Sequence, residues 1–166
     1  MPPSPRRPFE WHREGDQLVL SGAIDESARL VDLLAEAGDR GKLALDLGGV
    51  TFINSIGVRE WVRMQTAAVD AKIQFELRRV AEVLIHQLNI VPATRGASVV
   101  TSFFASYLCE HCDDQLPMLI DVQAHRAELA RMEPPEMMCT SCNKAMTFCD
   151  PAELYFSFLS GASPLS

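Results

Sequence analysis

Long apolar runs are missing from this 166-residue chain. No stretch reaches about 18 consecutive apolar residues, which excludes a membrane-spanning helix. An excess of positive charge is missing too. Residues 1–106 hold 12 Lys and Arg against 13 Asp and Glu, and residues 107–166 hold 3 against 9. Nucleic-acid binding needs cations against phosphates, so the charge argues against that class, most strongly in the second segment. Neither Gly-x-Gly-x-x-Gly nor Gly-x-x-x-x-Gly-Lys-Ser/Thr occurs, so neither glycine loop that cradles nucleotide phosphates is available. The Gly-x-Ser-x-Gly turn of serine hydrolases is absent as well. The opening residues MPPSPRRP are basic without the apolar stretch of a secretory leader. They read as a flexible Pro-rich tail over residues 1–8, and the chain is expected to be cytoplasmic.

Cysteine is absent from residues 1–106, and all five cysteines follow. Cys109-x-x-Cys112 and Cys139-x-x-Cys142 form two pairs with 26 residues between them, and Cys149 stands apart. In a reducing compartment this pattern favours a metal over disulfides. Each pair offers two sulfurs from one tight knuckle, and four thiolates close a tetrahedron around zinc with no position left for water. The site is therefore read as structural, with iron as the other metal that accepts four thiolates. A segment of about 60 residues buries too little surface to hold alone and needs such a staple. Residues 107–166 resemble a zinc ribbon. Strands are expected over 99–107, 117–122, 145–148 and 154–159, with a helical insert over 123–132. His111 is expected to face solvent and Cys149 to be a small buried apolar residue. A thiol redox protein cycling one Cys-x-x-Cys pair is the alternative.

The first segment alternates strands and helices. Strands are read at 9–14 and 17–21, joined by a hairpin turn at Gly15-Asp16. A helix over 27–38 carries Leu30, Val31, Leu34 and Ala37 on one stripe and stops at Gly38. Lys42 to Leu47 is a central strand, and Gly48-Gly49 opens a loop into a second helix over 56–68, with Val58, Trp61, Val62 and Gln65/Ala68 inward. Residues 72–77 alternate as a strand, 80–88 form a third helix, and 97–105 a last strand. This order predicts an α/β fold with a mixed, largely parallel sheet under one layer of helices.

The strings LVLSGAIDE and LALDLGGVTFINSIGVREW then stand out. In order and spacing they resemble the STAS domain of anti-sigma factor antagonists, over residues 9–106. The resemblance implies a STAS-like mixed sheet covered by helices, and a module that docks on a protein partner, an anti-sigma factor or serine kinase. It also places Ser55 at the serine such a kinase phosphorylates, with Asn54 where the family has aspartate and Ile56 where a second serine is frequent.

Physically, Ser55 lies where a strand end meets a helix N-terminus. Asn54 or Ser55 can cap that helix, and a phosphate there would add about −2 charge. Such a charge would alter any surface docked over Asn54, Ser55, Ile56, Gly57, Arg59 and Arg63. A serine nucleophile would need a base and an orienting group, and nothing in the sequence ties His12, His86, His111 or His125 to Ser55. Asp25, Asp46 and Asn54 are expected to cap helices and satisfy loop N–H groups. The expectation is a non-enzymatic signalling protein that engages a protein partner, forms possible homo-oligomers, and binds neither nucleic acid nor a membrane. A STAS module binding a small ligand, a nucleotide or lipid, is a further alternative.

Overall fold

The computed structural model describes residues 5–161. It is a mixed α/β structure with two sheets. The first has the order β1-β2-β3-β4-β5: Glu10–Glu14, Gln17–Ile24, Lys42–Ile53, Gln74–Arg78 and Val99–Val100. β1 and β2 form the antiparallel hairpin, with Gly15 in the left-handed region its turn requires. β2 to β5 run parallel. Their crossovers are a 3-10 segment at Leu30–Arg40, helix α1 at Ser55–Asp70 and helix α2 at Glu82–Ile90. Strands added in sequence order through right-handed crossovers put every crossover on one face. Leu18, Leu20, Leu43, Leu45, Leu47, Phe75 and Leu77 accordingly pack with Leu30, Leu33, Trp61, Met64, Leu84 and Leu88 in one buried cluster. The opposite face is polar. There Arg78 donates to Asp16, Gln17 and Glu76, and Arg79 pairs with Asp46 at 3.2 Å.

The second sheet has the order β7-β6-β8: Asp114–Asp121, Ser102–Cys109 and Thr147–Phe148, all antiparallel. The chain passes from one sheet to the other almost without interruption. β5 pairs with β4, Thr101 N–H bonds the Leu77 carbonyl, and Phe103 of β6 still bridges Val80 in parallel. The position 106/107, where the sequence reading divides the chain, thus lies inside β6. Pro117 sits opposite Ser106, whose carbonyl accepts from Cys149 on the β8 side. Pro117 therefore withholds an N–H from the free edge of β7, which weakens that edge as a template for pairing with a second copy.

Several boundaries differ from the sequence reading. β3 does not stop at Leu47 but runs through Gly48-Gly49 to Ile53. A Cβ on Gly49 would lie 2.8 Å from Ser21 Cβ, and β2 shifts register twice alongside. Gly49 thus serves close strand approach at an irregularity, Gly48 lies under the Arg79 guanidinium, and neither opens a loop. In the 3-10 segment Leu33 is buried while Val31 faces solvent, and in α1 the buried face includes Met64. The insert is helical only at Arg126–Ala130 (α3). Residues 154–159 are not a strand: Ala152–Tyr155 is a turn of helix (α4), followed by 3-10 turns over Phe156–Gly161. A short apolar run fits either conformation by pattern alone. Here the helical form lets Tyr155, Phe156 and Phe158 reach Phe103, with ring centroids 6.4, 5.9 and 5.1 Å away. Asn89 of α2 donates to the Tyr155 carbonyl, so this segment closes over both units.

Of the expected tail, residues 1–4 lie outside the described chain, as do residues 162–166 of the second segment. Pro5 to Pro8 run beside β2: the Arg7 carbonyl accepts from Ala23 N–H, and the Arg6 guanidinium stacks 3.7 Å over the Phe52 ring.

Candidate functional site

β6 and β7 form a hairpin whose tip is the first knuckle. Cys109 ends β6, buried, and Cys112 sits half-buried in the turn. The second knuckle is also a small hairpin tip. Cys139 N–H bonds the Lys144 carbonyl, Asn143 N–H bonds the Cys139 carbonyl, and Met138 bridges Ala145. Both tips use the same backbone device: the residue after the second cysteine, Asp113 or Asn143, has φ of +56°. Asp and Asn tolerate that left-handed conformation better than other side chains carrying a Cβ. Sequence reasoning passed over both residues, although an Asp or Asn directly after a Cys-x-x-Cys was visible.

The folded chain brings all four sulfurs within 4.8 Å of one another. Cys109 Sγ lies 3.5 Å from Cys142 Sγ, and Cys112 Sγ 4.0 Å from Cys139 Sγ. A tetrahedral ion with metal–sulfur bonds of ~2.3 Å has sulfur–sulfur edges of ~3.8 Å. The donor set therefore fits a metal of tetrathiolate preference. The knuckle backbone also prepares the ligands. N–H groups of Cys142 and then Ser141 bond the Cys139 sulfur and hold its thiol down at about 6. The neighbouring Cys142 sulfur foremost pushes the Cys112 thiol up to about 12. Four sulfurs this close favour binding a cation over carrying several negative charges unaided. When bound, the ion supplies cross-linking and no open coordination position, because the protein fills all four.

Protons compete with the metal for these sulfurs. The bound form carries fewer protons than the free form, so binding is favoured at high pH and lost as pH falls. We expect zinc affinity, read by chelator competition, to fall by more than about tenfold per unit between about pH 8 and pH 6, since more than one thiol proton is displaced. A flat profile would contradict coordination by these thiols.

His111 is exposed, and its Nδ1 lies 3.0 Å from Lys144 Nζ, a contact that ties the two knuckles together outside the sulfur set. Cys149 is exposed and not buried as anticipated, and its thiol turns to the Thr147 carbonyl. It follows β8 directly, on a strand pairing that ends at Phe148.

At the first segment's loop the cap is Asn54, not Ser55. Asn54 Oδ1 accepts from Gly57 N–H at 2.8 Å, and its amide reaches Glu26 at 3.3 Å. Gly57 is wedged against β2, where a Cβ would fall 2.0 Å from the Ile24 carbonyl oxygen. Ser55 opens α1 and is exposed, as are Arg59 and Arg63. Steps of four put these three residues in one row along the helix. Ile56 beside them is 38% exposed, and Arg59 and Arg63 both contact Glu60. Asp25 is held by Ser27, and Asp46 by Gly48 and Arg79. The four histidines contact Glu14, Tyr155, Lys144 and Glu128 respectively. Among the described residues no helix is long and apolar enough to cross a membrane. In comparison with known proteins, no family model, no curated protein and no solved structure matches this chain.

Proposed function

We propose that this chain is a non-catalytic signalling or regulatory protein: a STAS-like docking module followed by a module clasped by structural zinc. The observation that carries the reading is the closed set of four sulfurs of Cys109, Cys112, Cys139 and Cys142. Among the described residues it commits the one such cluster of metal-ligating side chains to holding structure. Zinc is preferred to iron because it needs no redox partner and suits four-sulfur structural sites.

The docking surface in this reading is the row Ser55, Arg59 and Arg63 with Asn54, Ile56 and Gly57. The exposure of Ser55, Ile56, Arg59 and Arg63 supports that role, while Gly57 is buried and serves by seating the loop on β2. The partner is a protein of the anti-sigma factor or serine kinase type, and phosphate on Ser55 is the switch. In this reading the phosphate adds its charge one residue from Asn54, whose amide reaches the Glu26 carboxylate at 3.3 Å. It therefore acts by changing the charge presented to the partner.

The test is recovery of partner from the native cell with wild-type and Ser55→Asp bait, together with metal analysis of the same preparations. Ser55→Asp is expected to change partner recovery by about tenfold, which corresponds to roughly 1.4 kcal/mol. Equal recovery with both baits refutes the switch, and a chain free of metal under reducing conditions refutes the clasp.

A further inference from the structure

Each pair of sulfurs in contact across the knuckles joins unlike environments. Cys109 is buried and Cys142 half-buried, at 3.5 Å; Cys139 is buried and Cys112 half-buried, at 4.0 Å. An oxidant arriving from solvent thus meets Cys112 or Cys142, and the sulfur next to it is sheltered. We propose that the cluster is a clasp with two chemical forms, a zinc tetrathiolate when reduced and a cross-knuckle disulfide after attack by a peroxide. The inference rests on reading the cluster as a zinc site and adds the chemistry that would regulate it.

The chemistry balances as follows. The Cys142 thiolate attacks one oxygen of hydrogen peroxide; an S–O bond forms, the O–O bond breaks, and hydroxide leaves to become water. The buried Cys109 thiolate then attacks the Cys142 sulfur. An S–S bond forms, the S–O bond breaks, and the departing oxygen is protonated to a second water. Two electrons pass from two sulfurs to the peroxide. Zinc, left with two of its four ligands, dissociates.

Closing 3.5 Å to the S–S bond length takes a combined movement of about 1.5 Å. The bond joins the same two knuckles that the ion joined, so the module stays closed in both forms. A resolving sulfur in contact also intercepts the sulfenate before further oxidation. Exposed Cys149 lies outside this exchange.

The test uses the full-length zinc-loaded chain with Cys149→Ser, titrated with hydrogen peroxide. Zinc release is read with a chromophoric chelator, bonds are mapped by mass spectrometry after alkylation, and closure is read as trypsin cleavage after Lys144. Expected are loss of the bound zinc within a few equivalents, a Cys109–Cys142 bond, cleavage as slow as in the zinc form, and recovery with thiol reductant and zinc. Four results would overturn the proposal: zinc retained in large excess of peroxide; bonds confined to Cys109–Cys112 and Cys139–Cys142; sulfinic or sulfonic acids in place of bonds; or cleavage as fast as in the reduced, chelator-stripped chain. A chain that never loads zinc overturns the zinc reading together with this one, whereas a chain that loads zinc and keeps it overturns this one alone.

Discussion

Replacing Cys139 by serine is expected to weaken metal binding by more than about 100-fold and to loosen the second knuckle. Cys139 is buried, and its sulfur receives two backbone N–H groups that keep it ready to bind as thiolate. A serine hydroxyl does not ionise in that setting and is a poor ligand for zinc. Structural zinc contributes on the order of 10 kcal/mol of apparent binding energy in small zinc modules. Loss of an outer-shell partner alone costs about 10–100-fold in affinity, so loss of a direct ligand costs more than about 100-fold. Besides the metal, the knuckle is held by a few backbone bonds, the single Met138–Ala145 bridge and the His111–Lys144 contact, and β8 beside it spans only two residues. Chelator competition reads the affinity, and hydrogen exchange over residues 137–148 reads the loosening. Wild-type affinity in Cys139→Ser would rule out the four-sulfur site.

The second large effect is expected from Phe103→Ala. Phe103 is fully buried on β6 at the point where the chain changes sheets, bridging Val80 and meeting Tyr155, Phe156 and Phe158. Removing a buried phenylalanine costs about 3–5 kcal/mol, as transfer free energy plus the cavity left behind. For a chain of this size that is a fall in Tm of roughly 6–20 °C. Because Phe103 bridges Val80 beside the first sheet and its ring packs on the segment that Asn89 of α2 holds, the whole chain is expected to shift, not the four-cysteine end alone. Leu154→Ala, on a side chain 69% exposed in the same segment, is the control and should stay within about 0.5 kcal/mol. Scanning calorimetry of the metal-loaded forms decides. Loss confined to one of two separate transitions would show that the sheets do not share stability through Phe103.

The two cysteine pairs illustrate how local chemistry becomes legible. A knuckle is a turn of a few residues, so its ligands are adjacent in the chain and their spacing alone indicates the site. The β1–β2 hairpin and the helix beginning after Asn54 were readable for the same reason, since turn residues and caps act on neighbours. Leu154 to Leu159 failed because a short apolar run carries no reliable period, and only its packing on Phe103 and α2 selects helix over strand. Gly48-Gly49 failed because Gly49 answers to Ser21 on another strand and Gly48 to the Arg79 side chain, neighbours invisible along the chain.

The sequence by itself determined the alternation of strands and helices, the four cysteines able to ligate a metal and the exposed row that starts at Ser55, because periodicity, capping and ligand spacing are short-range. Only the tertiary structure decided that the chain runs from β5 straight into β6 and bridges back to Val80, that the last segment is helical, and that each half-exposed sulfur has a sheltered partner across the knuckles. Those facts depend on which distant surfaces meet, and that is settled by burial of the whole core and not by any local preference.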